Sequence, residues 1–314
     1  MISRVKSLLI LSLATLCAPA FGANPARPGT INYIEGSALV AGQPVTQKSV
    51  GTLALDPGQV LSTEQGHAEV LLTPGIYLRL DDDSSVRMIS PDLTATQLAL
   101  DKGRATVEVD EIHPQNNVQI VDNGVSTQLL KNGLYEFNAD NDTARVFSGK
   151  AAAREANKWV GIKGDHQLAL NDNLPEKVQH FNKDRAKDEL YNWSSLRSEY
   201  LSEANGELAG YYGAGYAPGW YWDPWFYGYT FIGPYGFYSP FGWDFYPFGY
   251  FGYYGGYYGR GYYGRPYNHG GIHEGFRGGQ HFAGSHAEGG FHGGGFSGGG
   301  GFHGGGGFAG GGHR

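Results

Sequence analysis

The feature that most constrains this chain is a period-two alternation of apolar and polar residues, cut every eight or nine positions by glycine, proline and aspartate. Asp56-Pro57-Gly58 turns and Val60-Leu61 runs out; Glu64-Gln65-Gly66 turns, and Ala68, Val70 and Leu72 alternate with Glu69 and Leu71. Thr73-Pro74-Gly75 turns again, Ile76, Leu78 and Leu80 alternate with Tyr77 and Arg79, and Asp81 to Asp83 lead round into Val86 and Met88. A helix gathers residues three and four apart onto one face, so it would scatter these apolar positions, whereas a strand collects them. Such signals run from about Ile31 to Leu170. They predict a mainly β, antiparallel module, either a β-sandwich or a β-solenoid-like stack.

Ahead of it, Met1 to Gly22 has the form of a signal peptide: Arg4 and Lys6, an apolar run from Ser7 to Leu16, then Ala20-Phe21-Gly22. The run is about half of the roughly 20 residues a bilayer span needs, so removal is expected rather than anchoring. Cys17, the single cysteine, would leave with it, and Leu16 stands where a lipoprotein signal wants a small residue. The mature chain then has no disulfide and no thiolate chemistry, which places an exported protein in a bacterial periplasm or at a cell surface. Losing Arg4 and Lys6 takes the formal charge from −7 to −9. An acidic body without a basic stripe argues against nucleic acid and anionic lipid as partners.

Residues 23–28 form a proline-bearing leader, and 29–172 form the β domain. Its second half begins after Ile112 to Asn117, with Val118, Ile120, Val125, Leu129, Leu134, Tyr135, Phe137, Val146 and Phe147 as core candidates. Asn138 to Asp142 and Asp81 to Asp83 read as turns, because these side chains accept hydrogen bonds from their own backbone. Neither has the glycine and closing glutamate of a calcium loop. Over 175–205 the residues Val178, Phe181, Ala186, Leu190, Trp193, Leu196, Tyr200 and Ala204 recur at helical spacing. This predicts one amphipathic helix that ends before Gly206, docked on the β domain or held out for a partner. Arg185 interrupts the stripe, so a bend or a two-piece docking is expected there.

Residues 206–267 are dense in Tyr, Trp, Phe and Gly, and from Ala209 to Tyr267 Ile232 is the only large aliphatic. Rings without gap-fillers on a glycine-rich backbone predict a disordered segment. Trp220, Trp222, Trp225 and Trp243 are its candidate interaction surface. Three uses stay open: a loose wrap over the β domain, a stacking surface for polysaccharide or peptidoglycan, and self-association. Residues 268–314 form a Gly/His/Phe-rich tail, also expected to be disordered. His269, His273, His281, His286, His292, His303 and His313 are its candidate ligands for zinc, copper or nickel, with no fixed spacing on a regular element. The same histidines read equally as a tail that gains charge below about pH 6.5. No catalytic motif is present, His67, His113, His166 and His180 are scattered, and neither an enzyme nor a cofactor is expected.

Leu55-Asp-Pro-Gly-Gln-Val-Leu-Ser-Thr63, Gly66-His-Ala-Glu-Val-Leu-Leu72 and Leu80-Asp-Asp-Asp-Ser-Ser-Val-Arg-Met88 together resemble the core of the FecR-type domain. Leu98 to Val109 is similar to the strand that follows in that family, and Val118 to Ala151, with Gly133-Leu-Tyr-Glu-Phe137, to its second half. The Asp188 to Ser194 and Arg197 to Leu201 groupings look like a helix that follows such domains in some envelope proteins. The resemblance, over residues 29–153, implies a periplasmic domain that senses an outer-membrane transporter and signals through a membrane helix to a σ-factor-binding region. After residue 22 no apolar run here is long enough for that helix. The expected function is therefore an exported, non-catalytic binding protein of the cell envelope that senses or scaffolds. The alternative is a structural or adhesive envelope protein working through its aromatic tail, or a weak metal binder.

Overall fold

The computed structural model describes residues 26–155, 158–170, 177–212, 217–234 and 236–245. The chain is mainly β. Its strands are β1 (Ile31–Val40), β2 (Gln43–Val45), β3 (Val60–Leu71), β4 (Ile76–Leu80), β5 (Ser85–Asp92), β6 (Ala95–Lys102), β7 (Arg104–Val109), β8 (Gln119–Asp122), β9 (Val125–Leu129) and β10 (Gly133–Asn138). There follow β11 (Thr143–Val146), β12 (Lys150–Glu155), β13 (Lys158–Lys163), β14 (His166–Ala169) and β15 (Gln179–His180). Two helices come next, α1 (Lys183–Ala186) and α2 (Glu189–Tyr212), then β16 (Gly219–Asp223), β17 (Gly228–Ile232), β18 (Phe237–Tyr238) and β19 (Asp244–Phe245).

β1 to β15 make one sheet that closes on its own core. Its order is β13-β12-β9-β8-β6-β5-β3-β4-β7-β10-β11-β14-β15, with β1 on β3 and β2 on β1. Strand β3 joins two flanks: Val60 to Ser62 pair with β5, and Ala68 to Leu71 pair with β4. Inward residues of both flanks, among them Leu98, Ile120 and Leu129 from one and Leu78, Val107 and Phe137 from the other, fill a single apolar core. The period-two apolar sets of the sequence are these inward residues. The crossover is made where β1 and β3 touch backbone to backbone at Gly36 opposite Gly66. A Cβ on Gly66 (φ 117°) would lie 2.0 Å from the Glu35 carbonyl oxygen, and one on Gly36 1.9 Å from that of Gln65. Only glycine allows that approach. β6 and β8 pair in parallel, and the other paired strands of this sheet are antiparallel.

Two expectations are corrected downstream of the sheet. The helical region is divided near Arg185, where an interruption was expected, with Lys187 and Asp188 between α1 and α2; its end is what differs, since α2 runs through Gly206 to Tyr212 instead of ending before it. Its buried face is Leu190, Ser194, Arg197, Ser198, Leu201, Ala204, Asn205 and Leu208, while Leu196 is 44% exposed. The helix turns a partly polar stripe inward because the sheet beneath it carries charge. The second correction concerns the aromatic segment. Residues 217–234 and 236–245 of the stretch expected to be disordered form two hairpins, β16–β17 and β18–β19. Their rings do obtain aliphatic gap-fillers, from other elements: Leu71 of β3 and Leu201 of α2 pack with Tyr229, Phe231, Trp220, Trp222, Phe226 and Trp243. The rest of the low-complexity sequence, 246–314, lies outside the described residues.

Candidate functional site

The outward residues of β3, β4 and β7 carry a buried charge network. Arg79, fully buried, donates from Nε to Glu69 at 2.7 Å and from Nη1 to Glu108 at 2.5 Å. Arg197 of α2 donates to the other oxygen of Glu69 at 3.0 Å, and its guanidinium lies 3.9 Å from the ring centre of Tyr33 and 4.7 Å from that of Phe226. Glu108 accepts from Ser198 of α2 at 2.7 Å and from Ser239 of the last hairpin. Asn32 bridges the acids to the aromatic hairpin: its amide donates to Glu69 at 2.8 Å and to the Tyr229 carbonyl at 2.9 Å, and its oxygen accepts from the Tyr229 amide at 2.6 Å. Burial alone would push the Glu69 carboxyl up, but Arg197 and Arg79 bring it down to about 2. Asp110, on the same face beside Glu108, is pushed well above the carboxylate range by burial and by that neighbouring charge. The carboxylates of Glu69 and Glu108 meet two guanidiniums, and the second guanidinium comes from the helix. This face is sealed: α2 and both hairpins stand on it. None of these acids and bases stood out in the sequence as a site, although Glu69 and Arg79 occupy the outward phase of the alternation.

The four candidate tryptophans divide. Trp220, Trp222 and Trp243 are half-buried in the aromatic cluster, Trp220 edge-on to Tyr77 at 5.0 Å and Trp243 donating to the Ser195 carbonyl at 3.0 Å. They attach the hairpins to the sheet and helix. Trp225 is 83% exposed. Its turn is anchored by buried Asp223, whose carboxylate accepts from the Trp225 and Phe226 amides at 2.8 and 3.0 Å. Tyr227 completes the turn at φ 54°, a left-handed conformation that costs a non-glycine residue on the order of 1 kcal/mol or more.

The outer face of the other flank carries no helix or hairpin of the described chain. The register lays one row across it, Gly161–Ala152–Gln128–Gln119–Gln97–Ser90. Asn117 fixes two of its amides, accepting from Gln119 at 2.8 Å and Gln128 at 3.0 Å, while Ser126 donates to Gln119 at 2.5 Å. On one side of the row, Lys150 stands directly opposite Lys163; on the other, Arg154 stands opposite Trp159, which is 50% exposed. The body was expected to have no basic stripe, since these cations are spread over fourteen positions of sequence. Hairpin pairing between β12 and β13 brings them together.

The seven tail histidines lie outside the described residues. Among the described residues no group of three or more His, Cys, Asp or Glu is arranged to hold a metal ion. Asp81 to Asp83 turn as read, with Asp81 contacting His67 and Arg104, both at 3.3 Å. Asn138 caps its own turn, accepting from the Asp140 and Asn141 amides. Nearby, Asp122 is fully buried with no hydrogen-bond donor on either oxygen among the described residues. Burial, then the charges of Asp142 and Asp140, push it up to about 7. His67 stacks on Trp193 of α2 at 4.5 Å, while His166 and His180 meet edge-on between β14 and β15.

No family model matches this chain, and no curated protein does. Among solved structures it is similar to two crystal structures of "a putative anti-sigma factor" from Parabacteroides distasonis ATCC 8503. The one at 1.65 Å resolution is 15% identical with a TM-score of 0.33, over 39% of this chain and 59% of that one. The one at 2.50 Å is 13% identical with a TM-score of 0.34, over 48% and 72%. The chain thus spans under two thirds of the first of these proteins. Likenesses this low carry no functional inference.

Proposed function

We propose that this chain is an exported, non-catalytic FecR-like binding protein of the bacterial cell envelope. The observation that carries the reading is the inequality of the two sheet faces. One is closed by the chain's own helix and hairpins through buried ion pairs, and the other, which no described helix or hairpin covers, is lined with fixed amides, cations and a tryptophan. A sheet face lined by polar groups held in fixed orientation is suited to holding a partner. The FecR-like motifs support it, since Leu55 to Met88 supplies the strand pairs at the centre of the sheet. No described helix is long and apolar enough to cross a membrane, so the inward relay of that family has no counterpart among the described residues.

A second reading, adhesion through the aromatic segment, is favoured by Trp225, held outward at 83% exposure on an anchored turn. Cell fractionation with cross-linking separates the two. Truncation near Asn205 would be uninformative, because it removes Leu208, β16 to β19 and the Ser239 partner of Glu108. The informative truncation follows Phe245. Binding by the open face predicts that the truncated and full chains co-purify with the same envelope component. Adhesion predicts that envelope association is lost with residues 246–314 or, where the exposed turn is the contact, on Trp225→Ala in either chain. Recovery of the full chain in the cytoplasm would refute both.

A further inference from the structure

Resting on the reading of the open face as the binding face, we infer that it takes an anionic polysaccharide, with Trp159 stacking on a sugar ring, Lys150, Lys163 and Arg154 meeting its carboxylates or phosphates, and Gln128 and Gln119 bonding its hydroxyls. The observations each specify part of that ligand. Lys150 faces Lys163 directly across the hairpin, an arrangement that costs stability in a sheet pair unless an anion sits between or above the ammonium groups. Neither forms an ion pair with a described residue, nor do Arg154 and Lys158, although the body carries 25 acidic side chains, counted as the 30 of the whole chain less five beyond residue 205. The floor between the cations is Gly161 and Ala152, whose own side chains project little; the flexible Lys150 stem crosses it, with Cε 4.0 Å from the Cβ position of Gly161. Trp159 offers a half-exposed indole beside the Gly161 end of the amide row, opposite Arg154. Aromatic faces stack on flat apolar surfaces such as the C–H side of a pyranose, and Arg pairs with carboxylate or phosphate in two-point geometry. The amides are held in one orientation by Asn117, which lowers the entropy lost when they bond a hydroxyl.

The competing role for these lysines is to guard the edge, since β13 is the free margin of the sheet and lysines deter strand addition there. That role needs neither Trp159 nor the amide row, and it decides the experiment. The mature full chain is run in native gels containing polygalacturonate or neutral dextran. Retardation by polygalacturonate and not by dextran is expected. Trp159→Ala and the Lys150→Gln/Lys163→Gln pair should each weaken it at least fivefold, with circular dichroism and Tm unchanged. The inference is overturned by absence of retardation, by equal retardation in dextran, or by loss on the lysine changes with Trp159→Ala and Gln128→Leu inert, which would mark an unselective charge contact. It is also overturned if the lysine pair dimerises the protein and leaves retardation intact. If polygalacturonate binding is absent but the chain still co-purifies with an envelope component, this ligand is wrong and the binding reading stands. If both are absent, the reading itself fails.

Discussion

Replacing Arg197 by Met tests the physical claim on which the sealed face depends, that α2 is held by charge as much as by apolar packing. Met preserves most of the buried stem and removes the guanidinium. Glu69 then keeps Arg79 at 2.7 Å and the Asn32 amide at 2.8 Å but loses the Arg197 donor at 3.0 Å. Removing one partner of a buried pair costs about 3–5 kcal/mol, because the other charge stays buried and undercompensated. The remaining Arg79 contact puts this case near the lower end, about 3 kcal/mol, and the lost stacking on Tyr33 and Phe226 adds about 0.5–1 kcal/mol. Urea unfolding followed by tryptophan fluorescence measures the sum, and a double-mutant cycle with Glu69→Gln isolates the ion-pair part. The pH dependence supplies an independent signature. Glu69 is lowered from 4.5 to about 2 on folding, so its contribution is full above about pH 4.5 and fades as pH falls towards 2. In Arg197→Met the folded value lies closer to 4.5, so that acid limb should be smaller and end at a higher pH. A loss under about 1 kcal/mol together with an unmoved acid limb would show that the helix is held by its apolar residues alone.

The other predictions follow from single contacts. Asp122 is raised to about 7, so its folded state holds a proton the unfolded chain has released, and stability falls as pH rises from about 4 to 7. Asp122→Asn should therefore raise Tm at pH 8 and leave it nearly unchanged at pH 4.5; equal effects at both would refute the assignment. Gly66→Ala places a methyl 2.0 Å from the Glu35 carbonyl at φ 117° and should cost about 2–4 kcal/mol in urea unfolding, whereas Gly58→Ala, with open space around it, should cost about 1 kcal/mol. Trp225→Ala should shift stability by less than about 0.5 kcal/mol, while Trp222→Ala, packed on Tyr229 and Gly51, should cost about 2–3 kcal/mol; reversal of that order would disprove the division of the tryptophans.

The sequence by itself determined the sheet. Period-two alternation between glycine, proline and aspartate turns admits one secondary structure, and the inward phase at Ala68, Val70, Ile76, Leu78 and Leu80 is the core that forms. It also marked the helix, but an apolar stripe drawn through Leu196 missed the buried face, because Ser194, Arg197 and Ser198 are buried by virtue of what lies opposite them. Only tertiary structure decided three things. It placed Glu69, Arg79 and Glu108 on adjacent strands under a helix more than 80 residues later, which no local spacing encodes. It gave the aromatic hairpins the aliphatics their own sequence lacks, through Leu71 and Leu201. It turned dispersed lysines into a patch, because the register of β12 and β13 is set by pairing across a turn. The reason is common to all three: alternation fixes which side of a strand a residue faces, and only the order and register of the strands fix what it faces there.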